Sequence, residues 1–138
     1  MKKAGSIFTL LVFILVLNSG INAQQKPHIM LKGTDLIIPF SSSIVDSSNL
    51  EKLGKGALMK VEKLICSNKD YEVMSFTVII ALGKTVVETI SSSKYWAPKI
   101  KETINQLNSG DKVWIEEIST KGPDGKIKML TNLVFKIK

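Results

Sequence analysis

The stretch KVWIEEISTKGPDGKIKMLTNLVFKI, residues 112–137, decides the predicted fold class. Apolar and β-branched residues fill both of its arms, as is typical of strands that cover a core. At its centre stand Gly122, Pro123, Asp124 and Gly125. Proline presets the second position of a turn and glycine relaxes the exit, so these four residues are predicted to form a structural turn. We therefore expect two antiparallel strands, 112–120 and 127–137.

The second arm predicts which face of this hairpin is buried. Its apolar residues take odd positions, namely Ile127, Met129, Leu133, Phe135 and Ile137. Most of its polar residues, including Lys128 and Lys136, take even positions, as does Lys126 just before the arm. Because successive side chains of a strand point to opposite faces, the odd face of the whole arm is expected to lie in the core.

The preceding residues predict another hairpin and one helix. Residues 71–82 and 85–90 are rich in β-branched side chains and are separated by two residues that include a glycine, which favours a tight antiparallel hairpin. A helix is expected to begin at Pro98, because proline suits the first helical turn and apolar residues follow at spacings of three and four. It is expected to end before Gly110.

Earlier residues give weaker patterns. Residues 36–40 are predicted to form a short strand. Over 50–68 a helical stripe competes with a strand, and Gly54 and Gly56 decide between them because each costs a helix about 1 kcal/mol. We expect a loop through residue 56 and a strand over 58–66.

The first 23 residues have the order of a cleavable export signal. Lys2 and Lys3 precede an apolar run over 7–17, and a polar stretch then ends in the small residue Ala23. As a helix the run would span about 16 Å, roughly half of what a membrane anchor needs. We expect cleavage after residue 23 and no stable membrane anchor afterwards. A tether over 24–34 is then expected to lead into one domain over 35–138.

Composition limits the classes of partner. The chain has 138 residues and a formal charge of +7, and all 19 cationic side chains are lysines. Arginine supplies the bidentate fork that usually grips phosphate and guanine edges, so its absence disfavours nucleic-acid binding. Cys66 is the single cysteine, which excludes an intramolecular disulfide. Its apolar neighbours Leu64 and Ile65 predict a buried thiol.

The residues that catalysis needs are scarce. The only histidine, His28, lies in the predicted tether, so no base is positioned beside a nucleophile. One histidine and one cysteine do not complete a zinc site without several carboxylates. Glu116 and Glu117 are adjacent on a predicted strand, where they would point to opposite faces. We expect no enzyme activity, no metal and no cofactor.

Tyr95 and Trp96 are the candidate partner-binding residues. They stand between a serine-rich loop and the predicted helix. Exposed loop aromatics are favoured anchors for proteins or sugars. Aromatic residues at a helix entry also cap hydrophobic cores, and the sequence leaves both interpretations open.

A recognisable order of motifs runs through residues 56–138. It consists of Tyr71-Glu-Val-Met-Ser-Phe-Thr-Val, a serine loop, the predicted helix, Gly110-Asp-Lys-Val-Trp-Ile-Glu-Glu-Ile, Lys121-Gly-Pro-Asp-Gly-Lys and Val134-Phe-Lys-Ile-Lys. This order resembles the C-terminal domain of the gliding-motility protein GldM, most specifically from Gly110 onward. The resemblance implies a β-sandwich-like domain of the Bacteroidota cell envelope that docks onto other proteins. In that family the domain ends a periplasmic shaft that reaches the outer-membrane part of the gliding and type IX secretion machinery.

Together these features predict a mostly β, antiparallel sandwich-like domain with one short helix before the C-terminal hairpin. For function we expect an exported, periplasmic or extracellular adaptor without catalytic activity. It would bind another envelope protein through a sheet face, an exposed edge or the loop of Tyr95 and Trp96. The alternative is a small glycan- or peptide-binding module, which requires both aromatics to be exposed beside a concave polar surface.

Overall fold

Nine strands and two short helices make up the described part of the chain. The computed structural model describes residues 29–40 and 51–138, so the predicted export signal and His28 lie outside the described residues. The strands are β1 (Met30–Lys32), β2 (Asp35–Ile38), β3 (Glu51–Leu53), β4 (Lys63–Cys66), β5 (Glu72–Leu82), β6 (Thr85–Ser91), β7 (Lys112–Lys121), β8 (Ile127–Met129) and β9 (Leu133–Ile137). The helices are α1 (Lys55–Leu58) and α2 (Pro98–Asn105).

Six strands form one large sheet. Five follow the order β3-β9-β7-β5-β6, and β8 pairs with the other end of β7. The β5–β6 hairpin is tight because Gly83 takes a φ of 60°, which the two-residue turn requires and which glycine adopts without strain. The strand β3 runs parallel to β9, whereas the other pairs in this sheet are antiparallel.

Three strands form a smaller sheet in the order β1-β2-β4. The far edge of β4 is covered by residues 94–96. There the backbone N–H of Leu64 donates to the Lys94 carbonyl at 2.8 Å, and the N–H of Trp96 donates to the Glu62 carbonyl at 2.8 Å. Residues 94–96 therefore satisfy the backbone of β4 much as a fourth strand would.

The two sheets and α2 enclose one core. Its largest fully buried side chains are Phe76, Phe135, Leu36, Ile38, Leu58, Leu64, Ile80, Ile100, Ile104, Leu107, Ile115 and Ile118. Cys66 is buried among them, as predicted. The mostly β, sandwich-like prediction is confirmed, although the sheets are mixed, because β2 and β4 also pair in parallel.

The strand predicted over 58–66 is wrong in its first half. Residues 55–58 form α1, and β4 begins only at Lys63. The Gly54 carbonyl accepts a hydrogen bond from the N–H of Leu58 at 3.0 Å. Leu58 and Val61 are fully buried, so tertiary packing outweighs the cost of placing glycine in and beside this helical turn.

The predicted tether includes folded residues. The strand β1 pairs with β2 across a turn that contains Gly33, and Ile29 is buried in the core. Residues 29–34 thus belong to the folded domain, and the predicted boundary at residue 35 lies too late.

The C-terminal arm does not bury one face throughout. The apolar side chains of β9 are buried as predicted, but Ile127 is 58% exposed and Met129 is 55% exposed. Between β8 and β9 the arm is irregular. There Leu130 turns into the core and its N–H donates to the Ile118 carbonyl at 2.9 Å. The odd positions of β8 and β9 therefore lie on opposite faces of the sheet.

A bulge in β7 accompanies this change of face. Glu117 has a φ of 51°, in the left-handed region, and the register with β5 shifts beside it. Ile115 and Ile118, three residues apart, can therefore both point into the core. The irregular residues 130–132 match this bulge in the partner arm, so pairing resumes beyond it with Ser119 opposite Met129.

Candidate docking face of the large sheet

The large sheet has one face directed away from the core, which we call the outer face. Its central row crosses four strands and consists of Glu88, Ile79, Trp114 and Val134. The alternate residues of the same strands, such as Val78, Ile115 and Phe135, fill the core. The outer face is therefore placed by the same alternation that builds the core.

This face carries most of the exposed large apolar side chains. Seven such side chains are exposed among the described residues, and Val86, Ile90, Ile127 and Met129 lie on the outer face. Val86 and Ile90 occupy β6 at 66% and 68% exposure. Apolar side chains grouped on one face are typical of surfaces that bind other proteins.

Charged residues form a basic group at one end of the outer face and an acidic group in the middle of β7. A row of three lysines, Lys112, Lys136 and Lys52, crosses β7, β9 and β3. Further along β7 stand Glu116 and Glu117. A partner with an acidic and a basic region would match these two groups.

Glu116 and Glu117 lie on the same face of the sheet. Glu116 stands directly opposite Thr77, and the Thr77 hydroxyl donates to the Glu117 carboxylate at 3.3 Å. The prediction that the two acids point to opposite faces is wrong, because the bulge at Glu117 interrupts the alternation.

The structure separates the two predicted partner-binding aromatics. Trp96 is only 4% exposed and its ring stacks on Phe76 with 6.0 Å between centroids. Tyr95 is 57% exposed, with the Lys94 ammonium 5.7 Å from its ring. Because residues 94–96 are extended along β4, neighbouring side chains point to opposite sides. Trp96 is thus a core residue, and a role as a surface anchor is wrong for it, whereas Tyr95 stays accessible.

The whole described sandwich falls within one family match. Residues 26–138 match the model of the GldM C-terminal domain. The chain belongs to the GldM C-terminal domain family. The match begins well before residue 56, so the small sheet and the large sheet are both parts of the GldM C-terminal domain. No curated protein matches the chain.

GldM is a component of the cell envelope that serves gliding and type IX secretion. Family membership therefore relates this chain to that machinery. Among residues 29–40 and 51–138, no helix is long and apolar enough to cross a membrane. The same residues contain no group of three histidine, cysteine or acidic side chains placed to hold a metal ion.

A shallow cleft lies between β4 and β5, away from the outer face. It has a volume of about 290 Å³ and is lined by Lys63, Cys66, Lys69, Tyr71 and Lys94 among others. One of its lysines is already neutralised, because Lys94 forms an ion pair with Glu72 at 3.0 Å. Burial raises the pKa of the Cys66 thiol, so this sulfur is a poor nucleophile near neutral pH.

Sequence reasoning missed the outer-face residues of β8. Ile127 and Met129 share the odd positions of the buried residues in β9, and no local pattern marks the change of face between them. On β6 the pattern gives no signal either, since the outward Val86 and Ile90 are more apolar than the inward Thr89.

Proposed function

We propose that this chain is an exported, non-catalytic adaptor domain of the cell envelope, associated with the gliding or type IX secretion machinery. It binds another envelope protein and itself makes or breaks no covalent bond. The observation that carries the proposal is the outer face of the large sheet, where exposed apolar side chains of β6 and β8 accompany a lysine row on β7, β9 and β3 and two glutamates on β7. Membership of the GldM C-terminal domain family supports the proposed association with the cell envelope and with the gliding or type IX secretion machinery.

Burial of this face would supply binding energy. Covering one large aliphatic side chain contributes about 1.5–3 kcal/mol. Trp114 and Val134 in the central row are half-buried, so they offer further apolar area to a partner. The two charged groups then fix the orientation of the partner and exclude wrong partners more than they add affinity.

Site-specific photo-crosslinking tests the proposal. A photoreactive benzoyl-phenylalanine at position 129 of β8 places the probe on the outer face. The matched control carries the same probe at position 99, because Lys99 is exposed on α2 rather than on the outer face. In envelope preparations we expect a discrete protein adduct from position 129 and none from position 99. Absence of any adduct from position 129 at physiological salt would contradict the adaptor role.

A second candidate, a small glycan- or peptide-binding module, would use Tyr95 alone, because the buried Trp96 does not meet the requirement for two exposed aromatics. The exposed ring of Tyr95 beside the Lys94 ammonium is a surface on which a sugar ring could stack. Titration with peptidoglycan fragments, followed by NMR at Tyr95, tests glycan binding. Unchanged Tyr95 resonances at millimolar fragment would exclude it.

A further inference from the structure

The strand β6 is an edge without the protection that the other edges have. It spans seven residues and pairs with β5 without interruption. Of the other edge strands in the described residues, β1, β3 and β8 have three residues each, and β4 is covered by residues 94–96. Natural edge strands are kept short, bulged or interrupted by proline or lysine, because their free backbone groups otherwise pair with another chain. In β6 Glu88 is the only charged residue, and neither proline nor a bulge is present.

The register shows which backbone groups of β6 are free. Leu82 and Thr85 flank the two-residue turn, so they exchange hydrogen bonds across the hairpin. In an antiparallel pair this bonding alternates along the strand. The N–H and C=O groups of Val86, Glu88 and Ile90 therefore point away from β5. Among the described residues, β6 pairs with no strand other than β5.

The same three residues present their side chains on the outer face. Val86 and Ile90 are exposed, and Glu88 lies between them. A strand that pairs with β6 would set its own side chains beside an apolar, an acidic and an apolar residue in turn. In strand addition the backbone bonds supply affinity and the alternate side chains supply specificity.

We propose that β6 is a strand-addition site for an extended segment of a partner protein whose outward side chains alternate apolar, basic, apolar. The inference rests on the proposed adaptor function and names the chemistry of the partner. Two contacts hold β6 ready for binding. The Ser91 hydroxyl donates to the Tyr95 carbonyl at 2.6 Å, and α2 packs beneath the strand. A preformed strand needs little ordering when the ligand binds.

Charge favours such a partner over a second copy of this chain. If two β6 strands paired in full overlap about a twofold axis, Val86 would face Ile90 and Glu88 would face Glu88. Like charges directly opposite each other destabilise a strand pair. Sliding the register by two residues separates the carboxylates but shortens the ladder. A lysine or arginine opposite Glu88 gives an attractive pair at full overlap.

Synthetic peptides test the proposal directly. The probes are acetyl-Thr-Val-Thr-Lys-Thr-Val-Thr-amide, the same peptide with Glu in place of Lys, and a third with Pro in place of both valines, whose N–H groups would otherwise donate to β6. Each is titrated into the exported protein while amide hydrogen exchange is followed by NMR. We expect the lysine peptide to slow exchange at Val86, Glu88 and Ile90. The glutamate peptide should bind roughly three- to tenfold more weakly, and the proline peptide should give no protection.

Substitutions of Glu88 separate the contribution of its charge to binding from that of its backbone N–H. Glu88→Lys should reverse the preference between the lysine and glutamate peptides. Glu88→Pro removes a free N–H without breaking the ladder to β5 and should abolish binding of both. Glu102→Lys is the matched control, since it reverses an exposed charge on α2 rather than on the outer face and should leave the preference unchanged. Circular dichroism melts establish that each variant is folded.

Two results would overturn the proposal. One is unchanged exchange at all three amides with the lysine peptide at millimolar concentration. The other is a dimer in sedimentation equilibrium whose β6 amides are protected without peptide, which would assign the edge to a second copy. The crosslink from position 129 keeps the adaptor role separate. If its envelope adduct persists in Glu88→Pro, the adaptor stands without β6, whereas peptide binding without any envelope adduct removes the adaptor role alone.

Discussion

The ring of Tyr71 lies against Gly122 so closely that a Cβ atom on this glycine would stand 2.8 Å from the Cε1 atom of the ring. The ring also packs on Phe40 with 4.4 Å between centroids. The turn between β7 and β8 is therefore connected to the end of β2 through one aromatic pair. Gly122 is required here for space, since its φ is not in the left-handed region.

Gly122→Ala should lower the free energy of unfolding by about 1–3 kcal/mol, because the added methyl group forces the Tyr71 ring off its contact with Phe40. Urea denaturation measures the change. Gly56→Ala is the control, since its Cβ would meet open space in α1, and it should leave stability unchanged or raise it by up to about 1 kcal/mol. In a Tyr71→Ala background the Gly122 substitution should cost much less, and an equal cost there would refute the contact.

Glu117→Gly should raise the free energy of unfolding by up to about 1 kcal/mol, because a left-handed backbone strains residues with a Cβ atom. The gain is reduced by loss of the hydrogen bond from Thr77. Glu116→Gly makes the same chemical change one residue earlier, without positive φ, and should destabilise by about 0.5–1 kcal/mol. Thermal melts of the two variants decide the matter, and equal destabilisation of both would show that the bulge carries no strain.

Trp96→Ala should lower the free energy of unfolding by about 3–5 kcal/mol, since it empties a buried site beside Phe76. Tyr95→Ala, at the neighbouring exposed position, should change it by no more than about 0.5 kcal/mol. Trp96→Phe should cost less than Trp96→Ala, because it keeps most of the buried apolar volume. If instead the Tyr95 variant were the more destabilised of the two alanine variants, the assignment of core and surface would be reversed.

Stability should fall as the pH rises above about 8.5, where an unfolded cysteine begins to ionise. Burial raises the pKa of the Cys66 thiol in the folded state, so over this range the unfolded chain releases a proton that the folded chain keeps. The stabilisation is complete below the unfolded pKa and is lost as the pH approaches the folded value. Chemical denaturation at pH 7.5 and pH 9.5 measures it. Cys66→Val should show a smaller drop, and an identical drop would assign the effect to other groups.

Local patterns predicted those strands and the helix that a short run of residues is enough to specify. The β5–β6 hairpin follows from β-branched runs around Gly83, and α2 follows from Pro98 and the apolar spacing after it. The short helix α1 could not be predicted this way, because Gly54 and Gly56 oppose it and it is stabilised by tertiary contacts such as the burial of Leu58.

In the candidate site, too, local sequence identifies candidate residues, but only tertiary contacts decide which of them are exposed. Tyr95 and Trp96 are adjacent and chemically similar, and only pairing of their segment with β4 decides that the tryptophan turns inward. The exposed face of β8 depends on the bulge at Glu117 in another strand. No property of residues 127–129 themselves reveals it.

By itself the sequence determined the mostly β class, the positions of the two hairpin turns and the scarcity of groups for catalysis, because these depend on local backbone preference and on residue type. Tertiary structure alone decided which apolar side chains are exposed and, among the described residues, which long edge strand has no second neighbour. Those properties depend on register, and a single residue in the left-handed conformation changes the face on which every later side chain of a strand lies.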